Sequence, residues 1–89
     1  MAPLAFLTNH AHVLLCVSRD PEMRLRDIAQ CVGVTERATH RMVCELEQGG
    51  YLTRSRQGRR NMYEVHPGRP LPHPLERGAT VEALLTVVR

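Results

Sequence analysis

Apolar positions recur at helical spacing along three successive stretches of this chain and then give way to a short alternating hairpin pattern. Val13, Leu14 and Val17 share one side of a first helix, which Thr8 or Asn9 can cap and which runs through Ser18. Arg19-Asp20-Pro21-Glu22 stops it, because proline cannot continue the hydrogen-bond ladder. Leu25, Ile28, Ala29 and Val32 mark a second helix over Met23 to Val32. Gly33-Val34 is the turn, with Gly33 supplying the left-handed backbone that ends a helix. Thr35 caps a third helix, which Gly49-Gly50 terminates. Tyr51-Leu52-Thr53 then starts a strand. Gln57-Gly58 is the predicted hairpin tip, and Met62-Tyr63-Glu64-Val65 is the return.

The third helix divides into two faces. At about 100° per residue with Arg37 at zero, Arg41 falls near 40°, Cys44 near 340° and His40 near 300°. Thr39, Met42, Val43 and Leu46 fall at about 200°, 140°, 240° and 180°. One face can therefore bury while the other offers Arg37, His40 and Arg41, a split that any amphipathic surface helix would also show. The hairpin adds a second basic element: from Tyr51 to Tyr63 it carries Arg54, Arg56, Arg59 and Arg60 and no acid. Like charges opposed across a hairpin are unfavourable without a counter-ion, which favours a polyanion partner over a merely solvated charge run.

After Val65 the pattern breaks. His66 to Pro74 is proline-rich and reads as an extended connector. Thr80 caps a last helix with Val81, Leu84, Leu85 and Val88 at i, i+3, i+4 and i+7. That stripe either packs on the first helix of the same chain or meets a second copy, and the spacing serves both equally.

The order of these parts over Leu25 to Val65, helix, Gly turn, helix with a basic outer face and Arg-loaded hairpin, resembles the winged helix-turn-helix of MarR-type and ArsR-type transcription regulators. The resemblance covers about half of the chain. It implies an α+β fold, mainly helical, with a small antiparallel β-hairpin wing. It divides the chain into a DNA-binding unit at 1–66, a connector at 67–78 and a helix at 79–89 that packs or dimerises. It implies a sequence-specific regulator of transcription, a homodimer on double-stranded DNA, with helix 35–48 in the major groove and hairpin 51–65 as wing. Arg37, His40 and Arg41 are then expected at base edges or nearby phosphates, and Arg54, Arg56, Gln57, Arg59 and Arg60 along the backbone or minor groove. Thr35 and the start of its helix can receive a phosphate.

Composition narrows the function classes. Eighty-nine residues make one domain, and area scaling has folding hide only about two thirds of the unfolded surface, so pairing would help a modest core. Aromatics at 3% argue against a base-stacking platform for single strands. The net charge of +3 suits a polyanion. All basic residues are Arg, but a GC-rich coding bias would give the same result, so this carries no weight by itself. The short apolar run Pro3–Leu7 has no basic flank, so neither a signal peptide nor a membrane span is expected, and a reduced cytoplasm is the default. Phosphate-loop, zincin and nucleophile-elbow motifs are absent, so neither an enzyme nor a cofactor is expected.

The five His and three Cys raise a metal or redox-responsive repressor as an alternative. Cys16, Cys31 and Cys44 never come closer than thirteen residues, and His10 and His12 are badly spaced for one metal, so no metal site is expected. Cys44, flanked by Arg41, is the candidate redox thiol, with an inert role favoured. The remaining rival is a winged-helix module that docks proteins instead of DNA. The basic helix face and hairpin speak against it, since a docking version would carry an apolar or acidic patch there. Nothing in the chain indicates an effector.

Overall fold

A computed structural model describes residues 4–88; Pro3 of the N-terminal apolar run and Arg89 of the last predicted segment lie outside the described residues. The chain runs α1 (Asn9–Arg19), α2 (Leu25–Val32), α3 (Glu36–Gln48), β1 (Leu52–Gln57), β2 (Arg60–Val65), a 3-10 turn (Pro74–Glu76) and α4 (Val81–Val87). The described residues form an α+β domain of four α-helices and a two-stranded antiparallel hairpin.

Threonines start three of the helices. Thr8, Thr35 and Thr80 each sit in extended backbone and accept a hydrogen bond from the amide three residues on, at Ala11, Ala38 and Ala83. The second helix begins two residues later than its pattern predicts. Met23 is instead partly buried against the core and its amide donates to the Asp20 carbonyl at 3.1 Å. Gly33 ends that helix at φ 89°, and the Gly33 and Val34 amides both donate to the Ala29 carbonyl.

The core is one cluster in which Val13, Leu14 and Val17 of α1 meet Ile28 of α2 and Met42, Val43 and Leu46 of α3. Leu52 and Tyr63 close it from the hairpin base, and Val81 from α4. Each such aliphatic side chain contributes roughly 1.5–3 kcal/mol when fully buried. Thr39, also fully buried, satisfies its hydroxyl by donating to the Thr35 carbonyl at 2.9 Å. The Tyr63 hydroxyl, by contrast, is buried without a hydrogen-bond partner among the described residues.

The hairpin register pairs Leu52 with Val65, Arg54 with Tyr63, Arg56 with Asn61 and Gln57 with Arg60. The tip is therefore Gly58-Arg59, one residue beyond the predicted Gln57-Gly58. Gly58 takes φ 64° and no other residue near the tip is left-handed, the pattern of a two-residue loop with glycine first. No arginine faces another across the ladder, so the like-charge opposition expected from composition is relieved by register.

The connector is not extended. Val81 and Glu82 donate their amides to the carbonyls of Arg69 and Pro67, and Leu71 donates to Ala79, which folds 67–82 into a closed loop. That closure brings the start of α4 into the core. Val81 is wholly buried and Leu85 packs beside it, while Val88 lies just past the helix end, its carbonyl accepting from Arg19 at 2.7 Å. Half of the apolar stripe is thus committed within the chain.

Candidate nucleic-acid interface

Burial of Thr39, Met42, Val43 and Leu46 fixes which way α3 faces. Arg37, His40 and Arg41 follow on the opposite side, all exposed, and with Thr35 and Ala38 they line a shallow surface concavity. The Thr35 oxygen accepts the Ala38 amide as cap, which leaves its hydroxyl proton and the helix start to meet an anion. Arg41 reaches back to Glu45 one turn on, at 3.4 Å, and the same carboxylate oxygen receives His10 Nε2 of α1 at 2.9 Å. The hydrogen bond from His10, and then the Arg41 charge, hold the Glu45 carboxyl below its ordinary value. Both pairs are solvent-exposed and weak, so Arg41 is tethered loosely.

The wing arginines divide. Arg54 is half-buried and pairs with Glu47 of α3 at 3.2 Å, an ion pair that links hairpin and helix. Arg56 turns its Nε onto the Gly58 carbonyl at 3.4 Å. Gln57, Arg59 and Arg60 are exposed. Among the described residues no carboxylate oxygen lies within 4.0 Å of Arg37, Arg56, Arg59 or Arg60.

Tertiary packing adds residues that periodicity did not single out. Arg24, just before α2, shares a cleft of about 380 Å³ with Arg59, Arg60 and Asn61 of the wing. Glu22, Met23 and Leu25 complete its walls. The only hint in the sequence was an arginine ahead of an apolar stripe, because the cleft joins it to wing residues 35 or more positions away.

The thiols are also rearranged. Cys44 is half-buried with its Sγ 3.8 Å from Nε2 of His40, one turn back. Cys16 and Cys31, far apart in sequence, are neighbours across α1 and α2. Burial pushes the Cys16 thiol up, and the adjacent Cys31 adds to the shift. All three are unpaired thiols. Among the described residues no three His, Cys, Asp or Glu side chains gather as a metal ion would require, and no helix is long and apolar enough to cross a membrane.

Comparison with known proteins gives one consistent result. The family model described as MarR family matches residues 8–59, which is α1 through the wing tip. No curated protein matches. Among solved structures, the chain is similar to the Mycobacterium tuberculosis MarR family protein Rv2887 in complex with salicylic acid, at 22% identity and a TM-score of 0.58 over 91% of this chain and 59% of that one. It is also similar to the zinc-dependent MarR family transcriptional regulator AdcR in its Zn(II)-bound state, at 18% identity and a TM-score of 0.57 over 98% of this chain and 55% of that one. The chain thus spans little more than half the length of these neighbours, and the likeness is one of fold.

Proposed function

The chain belongs to the MarR family, and from that premise we propose that it regulates transcription by binding duplex DNA in a sequence-specific way. In this reading α3 enters the major groove, with Arg37, His40 and Arg41 at base edges or adjacent phosphates. The hairpin is the wing, and Arg56, Gln57, Arg59 and Arg60 follow the backbone or minor groove. Arg54 acts through Glu47, holding the wing at a fixed angle to α3. Residues 1–66 are the DNA-contacting unit, 67–78 the connector and 79–89 the part that packs or pairs.

The observation that carries this reading is the one-sided projection of Arg37, His40 and Arg41 from a helix whose other face is locked in the core. A helix so fixed presents its arginines in a constant register. Readout of base edges needs that constancy, since a good bidentate contact discriminates by about 1–3 kcal/mol only when the geometry is held.

We further propose that two copies bind together. One helix spans only a few base pairs, so a pair should read an inverted repeat with half-sites about one helical turn apart, roughly 10 base pairs. Sedimentation at tens of micromolar tests this, and a monomer that stays monomeric on its duplex would contradict it. Fluorescence anisotropy on labelled duplex tests the DNA reading itself. With about six phosphates neutralised, log K should fall against log salt with a slope near −5. A flat response would sink the reading.

A further inference from the structure

Of the basic residues, Arg24 stands out as one that neither α3 nor the ladder explains. It is exposed, precedes α2 in the N-cap position and makes no side-chain cap. Its neighbours in the cleft are Arg59 of the tip and Arg60 of β2. Three arginines, one ahead of α2 and two from the hairpin, line one cleft. No carboxylate oxygen lies within 4.0 Å of any of them among the described residues. Like charges gathered in this way repel, and the fold tolerates them at low cost only where a counter-ion can enter.

The cleft is held by main-chain bonds. The Tyr63 amide of β2 donates to the Pro21 carbonyl at 2.8 Å, which bolts the wing to the connection between α1 and α2. That connection is itself ordered, with the Glu22 amide donating to Asp20 Oδ1 at 3.1 Å and the Met23 amide to the Asp20 carbonyl. The backbone that carries Arg24 and the return strand is therefore ordered before any ligand arrives. Asn61 contributes an amide side chain that can donate to an oxyanion. Glu22 is the one acid on the rim, and it opposes the arginines' field without pairing with them.

We propose that this cleft, lined by Arg24, Arg59, Arg60 and Asn61, is a phosphate site that clamps one phosphodiester of the DNA backbone beside the groove occupied by α3. The proposal rests on the DNA-binding reading above and deepens it. Arg24 becomes a backbone contact outside both the recognition helix and the wing. A guanidinium suits the task because its planar fork meets two phosphate oxygens at once. The two wing arginines and Arg24 then act as one jaw, and the clamp sets how far along the duplex the wing comes to rest.

The test uses the full chain and a labelled duplex carrying a site selected from random DNA. Arg24→Gln should weaken binding about tenfold on preferred and unrelated duplex alike, the size of one lost charged hydrogen bond. It should also make the salt slope shallower by about 0.9. Combining it with Arg60→Gln should add little, because both changes remove the same phosphate contact. A duplex trimmed of its flanking base pairs should be bound equally by wild type and Arg24→Gln. Glu22→Gln should tighten binding. Unchanged thermal melting of each variant excludes a folding defect. If Arg24→Gln leaves affinity and slope intact while Arg59→Gln and Arg60→Gln weaken binding, the clamp is wrong and the DNA reading survives. If wild type binds no duplex, both fall. Inorganic phosphate compared with chloride at equal ionic strength separates the remaining source. Saturable phosphate binding that Arg24→Gln abolishes, with duplex affinity unaffected, would assign the cleft to the free anion and overturn the clamp.

Discussion

The third helix and the hairpin both present arginines to solvent, by very different means. In α3, four side chains, Thr39, Met42, Val43 and Leu46, disappear into the core, so the arginines opposite inherit the rigidity of the whole domain. In the hairpin only Leu52 and Tyr63 at the base are buried, and every residue from Ser55 to Arg60 is exposed. The lesson is that burial behind a side chain decides what kind of recognition it can perform. A guanidinium on a fixed backbone can test one base edge against another, whereas one on an unpacked tip can follow a phosphate wherever the backbone runs.

The strongest way to break that contrast is to attack what stands behind each basic surface. Met42→Ala should destabilise the domain by about 2–5 kcal/mol, through lost burial and the cavity left behind, whereas Arg56→Ala should stay within about 0.5 kcal/mol. Urea unfolding measures both, and comparable losses would mean that the hairpin is as integral as the helix. On DNA, Arg37→Ala should cost roughly 1–3 kcal/mol on the preferred duplex and relax its sequence preference. Replacing Arg59 and Arg60 together with Ala should weaken all duplexes evenly and flatten the salt dependence. Equal losses from both on specific and random DNA would leave α3 without base readout.

Three smaller effects sharpen the comparison. Gly58→Ala should cost about 1 kcal/mol at the tip, since φ 64° is unfavourable for any residue with a Cβ, and proteolysis at the hairpin would report it first. Glu45 offers a pH handle on the helix. Its carboxyl is held below the ordinary value of 4.5, so the stabilisation it gives is present above that value and lost as pH falls through the lower, folded one. Glu45→Gln should remove that part of the acid dependence of melting and, by releasing Arg41, strengthen DNA binding slightly. Smallest of all, mild peroxide should leave duplex affinity unchanged, and Cys44→Ser should behave as wild type; a Cys44-dependent loss would make the thiol beside His40 a redox sensor.

Much of this molecule follows from local rules. Thr8, Thr35 and Thr80 start helices because a hydroxyl in extended backbone reaches an amide that the helix leaves unpaired. Gly33 ends one because it tolerates the left-handed region. The two faces of α3 are a matter of period, and the helical parts, the hairpin and the family resemblance are legible on those grounds. Local rules fail where a contact depends on a distant partner. Arg54 and Arg59 are the same residue type in the same short hairpin, yet one braces against Glu47 and the other lies open beside Arg24. The proline-rich connector looks extended until its amides find partners near Ala79 and Val81. Cys16 and Cys31 look unrelated until α1 packs on α2.

The sequence by itself therefore determined the elements, their order and the chemistry on offer, because period, caps and turn residues act within a few positions. Tertiary structure alone decided which arginines remain available, which apolar stripe is spent inside the chain, and that Arg24 joins the wing. Those outcomes turn on long-range hydrogen bonds, Tyr63 to Pro21 and Val81 to Arg69 among them, whose partners lie far apart in the chain and carry no mark of their pairing.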